Sequence, residues 1–77
     1  MKARHDKKAD AIYLSFNDKP YSYGRDLDKE RRIDFADDGT PIGVEFLCVS
    51  EGVITDDLPY RAAVEQALED EGIKVYA

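Results

Sequence analysis

The chain has 77 residues, with 11 Lys/Arg, 17 Asp/Glu and one His, for a formal net charge of −6. That length allows a single domain, 1–77, which buries only about 60% of its unfolded surface and so gains from a second copy or a partner. The acidic balance argues against general nucleic-acid binding, no run approaches the roughly 20 apolar residues that span a bilayer, and one cysteine cannot build a disulfide framework or a cysteine-based zinc site.

Lys2 to His5 reads as a short first strand, followed by a polar turn over Asp6-Lys7-Lys8-Ala9-Asp10. From Ala11 to Phe16 the pattern alternates strictly. Ile12, Leu14 and Phe16 share one face, and Ala11, Tyr13 and Ser15 the other, which is the period of a half-buried strand. After the turn Asn17-Asp18-Lys19-Pro20, a poorer strand sets Tyr21, Tyr23, Arg25 and Leu27 against Ser22, Gly24, Asp26 and Asp28. Gly24 indicates a bulge or a close approach there, and the composition places this strand near an edge. Ile33 to Ala36 is a fourth strand, and Asp37-Asp38-Gly39-Thr40 a hairpin turn that needs φ > 0 at its Gly. Pro41 to Val49 is a fifth. It has Ile42, Val44, Phe46 and Cys48 on the inward face and Gly43, Glu45, Leu47 and Val49 on the other. The second face turns apolar at its end, so Leu47, Val49 and Tyr13 call for a cover.

A helix is the candidate cover. Asp56-Asp57-Leu58-Pro59 carries the marks of a helix start: an Asx cap, acidic charge at the positive end of the dipole, and Pro in the first turn. Tyr60, Val64, Ala67 and Leu68 then recur on one helical face, Gly72 is the expected terminator, and Ile73 to Tyr76 alternates as a short last strand. The fold class expected is α+β: an antiparallel four- to five-stranded β-meander sheet over 1–50, then one C-terminal helix packed on it and a short terminal strand over 51–77. The pattern leaves open whether the helix closes its own sheet or docks in trans, closure in cis being the commoner solution.

The run His5-Asp6-Lys7-Lys8-Ala9-Asp10-Ala11-Ile12-Tyr13-Leu14-Ser15-Phe16, the run from Arg32-Ile33-Asp34-Phe35 through Gly43-Val44-Glu45-Phe46-Leu47, and the distance between them resemble domain-of-unknown-function family 2283, the YuzE-like small bacterial proteins. The resemblance covers about residues 1–50, and its motifs are structural: a turn and strand, then a hairpin whose second strand begins with a Gly between apolar residues. Members encoded beside small toxin-like proteins give the resemblance its one functional implication, an antitoxin-like role.

His5 beside Asp6 and near Asp10 could form an acid/base or metal-binding unit, but neighbours on a strand point to opposite faces. Asp34, Asp37, Asp38 and Glu45 make a carboxylate-rich hairpin without the spacing of a calcium loop. Cys48 has no basic neighbour to activate it and reads as a packed thiol. Charge is uneven. Residues 1–36 hold nine Lys/Arg against seven Asp/Glu, and residues 37–77 hold two against ten, so the second half carries −8. The reading is a non-catalytic protein-interaction module, antitoxin-like and cytoplasmic, without metal or cofactor. Its expected partners are itself, as a homodimer, and a small basic protein rather than nucleic acid or a membrane. Its interaction surface is placed at Tyr60, Arg61, Val64, Leu68 and Tyr76, so removing Asp57–Ala77 is expected to abolish partner binding and leave the sheet folded. Two alternatives stand beside it: a structural homo-oligomer that buries Leu47 and Val49 across a two-fold axis, and a small metal-assisted enzyme using His5, Asp6 and Asp10.

Overall fold

Alternating side chains build the sheet, and the computed structural model, which describes residues 1–76, shows how its strands are ordered. The strands β1 (Lys2–Asp6), β2 (Ala11–Ser15), β3 (Tyr23–Asp26), β4 (Arg31–Phe35) and β5 (Pro41–Leu47) form one antiparallel sheet in the order β1-β2-β5-β4-β3. A 3₁₀ turn (Val49–Glu51), β6 (Val53–Ile54), helix α1 (Arg61–Asp70) and β7 (Val75–Tyr76) follow, with β6 and β7 paired in parallel. The α+β class therefore holds. Hairpin partners are adjacent, and only the β2–β3 connection leaves sequence order, because β2 pairs with β5 through Ile12↔Phe46 and Leu14↔Val44. That connection is held across the sheet end by Asn17 Nδ2, which donates to the Pro41 carbonyl at 3.1 Å, and by the Lys19–Asp38 ion pair at 2.9 Å. The β3 strand lies at an edge, as its composition indicates, and its Gly24 sits beneath the Arg32 side chain.

One face of the sheet makes the core. Ile12, Leu14, Ile33, Phe35, Val44 and Phe46 are buried there against Val49, Val53, Leu58, Val64, Leu68 and Ile73. The helix thus packs on the face of Ile12 and Phe46, not on the Leu47 and Tyr13 face for which a cover was expected. The reason is the size of the two apolar surfaces: the first face offers a continuous patch from three strands, β2, β4 and β5, the second only the end of β5. Val49 reaches the core as well, although alternation puts it on the opposite face. Cys48 breaks the parity by adopting a left-handed conformation (φ 56°, ψ 41°), which ends β5 at Leu47 and turns Val49 inward. Cys48 itself is only half-buried, so the packed interior thiol is not found.

The helix starts later than Asp56-Asp57-Leu58-Pro59 suggests. Its N-cap is Tyr60, left-handed at φ 53°, with no side-chain cap and no acidic residue in the first turn. The Asx-Pro segment instead forms turns that drop Leu58 into the core. Buried Thr55 ties the helix start to the preceding loop: its hydroxyl donates to the Glu65 carboxylate and accepts from Arg61 Nε at 3.1 Å. At the other end Gly72 (φ 74°) terminates the helix as expected. Its N–H bonds the Glu69 carbonyl and that of Ile73 the Leu68 carbonyl, both at 2.9 Å, a Schellman motif whose hydrophobic contact is Leu68 with Ile73 in the core. The helix closes its own sheet, and Val64 and Leu68 are completely buried in doing so.

Removal of residues 57–77 would strip Leu58, Val64, Leu68 and Ile73 from one core, and each large buried aliphatic lost costs about 2–5 kcal/mol. The sheet is not expected to stay folded after that deletion, contrary to the expectation from sequence. Among the described residues no helix is long and apolar enough to cross a membrane. Gly72→Ala should lower stability by about 1 kcal/mol in urea unfolding although its new Cβ would meet no atom within 4 Å, because the cost is left-handed backbone alone. An unchanged midpoint would show that the helix end relaxes to another cap.

Candidate interaction surface

The five residues expected to form an interaction surface, Tyr60, Arg61, Val64, Leu68 and Tyr76, do not form one surface. Val64 and Leu68 face the core, since an apolar stripe this narrow serves the sheet first. Tyr60 remains exposed and meets Phe16 edge-on, ring centroids 5.1 Å apart. Arg61 is held by Asp56 at 3.2 Å and Glu65 at 3.3 Å. Tyr76 lies in β7, on a different feature.

The residues weighed for catalysis are likewise separated in role. His5, on the core face of β1 opposite Ile12, places Nδ1 3.5 Å from the Glu71 carboxylate just beyond α1. Asp6 accepts the Ala9 N–H at 3.0 Å, capping its own turn. Asp10, left-handed at φ 55°, accepts from the Ser50 N–H (2.9 Å) and the Ser50 hydroxyl (2.7 Å), and its carbonyl accepts from Val49 N–H. The first turn thereby grips the 3₁₀ turn after β5. His5 and Asp10 line one shallow depression, but Asp6 does not.

Two features emerge that sequence reasoning missed. The first is a cleft of about 170 Å³ between the β3–β4 turn and the β6–β7 pair, where Leu47, Ile54 and Tyr76 remain 40%, 48% and 43% exposed. Its walls are fixed from both sides. The Arg31 guanidinium donates to Asp28 (2.8 Å) and to the carbonyls of Ile54 (3.1 Å) and Asp56 (2.7 Å), joining the sheet to the C-terminal segment. The Tyr76 hydroxyl donates to the Glu51 carbonyl at 2.6 Å while its ring lies against Gly52, where a Cβ would collide with it. Gly52 is also left-handed at φ 92°, so no other residue fits that wall without strain. Burial pushes the Asp28 carboxyl up, but the Glu30 amide and Arg31 outweigh it and hold it below its ordinary value. At the rim, Glu30, Cys48 and Glu51 bring one carboxylate, one thiol and one further carboxylate within 4.8 Å of one another. A hydrogen bond to Glu30, with burial and the surrounding carboxylates, pushes the Cys48 thiol up and keeps it protonated. Such a trio could contribute one soft and two hard donors to a cation, one fewer than a closed zinc site uses.

The second feature is the uncovered outer face. Two rows cross all five strands there: Arg4, Tyr13, Glu45, Arg32 and Asp26, then Lys2, Ser15, Gly43, Asp34 and Gly24. Asp34 stands between two glycines, and long side chains lie across both. The Tyr13 phenol passes over Gly43 and donates to Asp34 at 2.9 Å, while Arg32 passes over Gly24, 3.6 Å from Asp34 and 3.1 Å from Asp26. The glycines were the available signal, since a Cβ at either position would collide with the side chain above it. Burial, then the Asp34 hydrogen bond and nearby negative charge, hold the Tyr13 phenol well above its ordinary 10.0.

A phenol raised in the folded state contributes stability that is intact below about pH 10 and is lost as pH rises further. Tyr13→Phe should therefore lower stability near neutrality by about 1 kcal/mol and flatten the alkaline loss, read from urea midpoints across pH. Parallel alkaline curves for the two proteins would refute the Tyr13–Asp34 bond.

A family described as protein of unknown function (DUF2283) matches residues 2–50. These residues hold all five strands of the larger sheet and the outer-face group Tyr13, Asp34 and Gly43, whereas Glu51, Ile54 and Tyr76 of the cleft lie beyond the match. No curated protein and no solved structure matches the chain. With more than half of the sequence matched and the expected sheet in place, the chain belongs to the DUF2283 family, whose function is unknown.

Proposed function

We propose that the chain is a non-catalytic protein-interaction module that docks a basic partner protein, antitoxin-like in covering a positively charged surface. The observation that carries this reading is the convergence of exposed Leu47, Ile54 and Tyr76 on the acidic part of the chain. Exposed apolar side chains that gather beside charge mark contact surfaces more often than scattered ones do. The −8 carried by residues 37–77 adds long-range attraction for a basic partner and speeds encounter. A reducing cytoplasmic setting, where an unpaired thiol such as Cys48 persists, suits this reading.

A second reading, a homodimer, is favoured by the edge strand β3, whose outer side is unpaired and flanked by exposed Tyr21 and Tyr23. Such an edge can add a strand from a second copy. The test is capture of the tagged full chain from its native host at physiological salt, with mass and stoichiometry determined. A stoichiometric basic protein released by high salt is expected. Recovery of the chain by itself as a defined dimer would move the conclusion to the second reading, and recovery as a monomer would remove both.

A further inference from the structure

We propose that the cleft between the β3–β4 turn and the β6–β7 pair takes one lysine or arginine side chain from a partner protein, an inference that rests on the interaction reading above. Size comes first. A space of about 170 Å³ lies below the roughly 300–1,000 Å³ of small-molecule sites and suits a single long side chain. Its lining supplies two kinds of contact. Leu47, Ile54 and the Tyr76 ring, all partly exposed, offer apolar contact to an aliphatic stem, and Glu30 and Glu51 offer carboxylates to its charged head.

The local charges favour a cation over a neutral or acidic side chain. Arg31 also lines the cleft, but Asp28 and two backbone carbonyls engage its guanidinium. Lys74 lies near Tyr76, its Nζ 4.9 Å from the ring centroid, and is not among the lining residues. Glu30 and Glu51 form no ion pair among the described residues. Two carboxylates this close repel each other, and a cation between them relieves that repulsion. The cleft is also preformed: the Arg31 and Tyr76 hydrogen bonds hold its walls before any partner arrives, which lowers the ordering cost of docking.

The test uses the full isotope-labelled chain and three short peptides of one apolar sequence, with lysine, norleucine or glutamate at the central position. Saturable amide shift changes at Leu47, Ile54 and Tyr76 are expected for the lysine peptide alone. They should weaken about 10-fold in the Glu30→Gln/Glu51→Gln double variant, as the loss of two exposed ion pairs allows. Equal binding of the norleucine peptide, or no saturable change with lysine up to about 10 mM, would overturn the proposal. Changes mapping onto Tyr13, Arg32 and Asp34 would overturn it while leaving the interaction reading in place. Concentration-dependent changes at Leu47 and Ile54 without peptide would make a second copy the occupant and also overturn it. If no peptide binds and capture returns only the chain as a monomer, both readings fall together.

Discussion

Helix α1 has ten residues and one narrow apolar stripe, so it covers one face of a five-stranded sheet and leaves the other to solvent. Most of the molecule follows from that asymmetry. The covered face concentrates the large aliphatic and aromatic side chains into a single core, with β5 at its centre because it pairs with both β2 and β4. The uncovered face has to satisfy itself with polar groups, and it does so through side chains laid flat across the strands. Tyr13 over Gly43 and Arg32 over Gly24 both converge on Asp34, giving that carboxylate partners on both sides. Cross-strand pairs of this kind stabilise a sheet and rigidify a face on which no other element packs.

Beyond the shared core, the C-terminal third is held to the sheet by few but well-placed polar ties. Asp10 grips Ser50, Arg31 reaches two carbonyls of the β6 loop, and Thr55 links that loop to the helix through Glu65 and Arg61. These contacts do more than stabilise. By fixing β6 and β7 beside the end of β5 they create the cleft at Leu47, Ile54 and Tyr76, so the same interactions that complete the fold shape the surface best suited to a partner. The family match ends at Ser50, and the cleft straddles that limit, with Glu30 and Leu47 inside it and Glu51, Ile54 and Tyr76 beyond. The sheet and its outer face lie within the matched family region, while half of the cleft lies beyond it.

Much of the architecture was legible in the residues. Period-two alternation at Ile12 and Leu14, Ile33 and Phe35, and Ile42, Val44 and Phe46 marks the strands and their buried face, because a pleated strand sends alternate side chains to opposite sides. Gly39 and Gly72 announce their turns through the left-handed backbone that glycine tolerates, and Gly24 announces a close approach. The helix position was read from real signals that competed. Asp56-Asp57-Leu58-Pro59 satisfies the rules for a helix start, yet Leu58 gains more by burial, and helix formation waits until Arg61.

What the sequence determined by itself, then, is local: which segments are strands, where turns fall, and which face of each element is apolar. Only the tertiary structure decided that β2 would pair with β5, that left-handed Cys48 would reverse the parity of Val49, and that the helical stripe would be consumed by its own sheet. It also decided the site, bringing Glu30, Leu47, Ile54 and Tyr76 together from segments far apart in the chain. Alternation and turn chemistry act over a few residues. Strand order and convergence depend on which distant apolar surfaces bury one another most completely, and no local pattern encodes that competition.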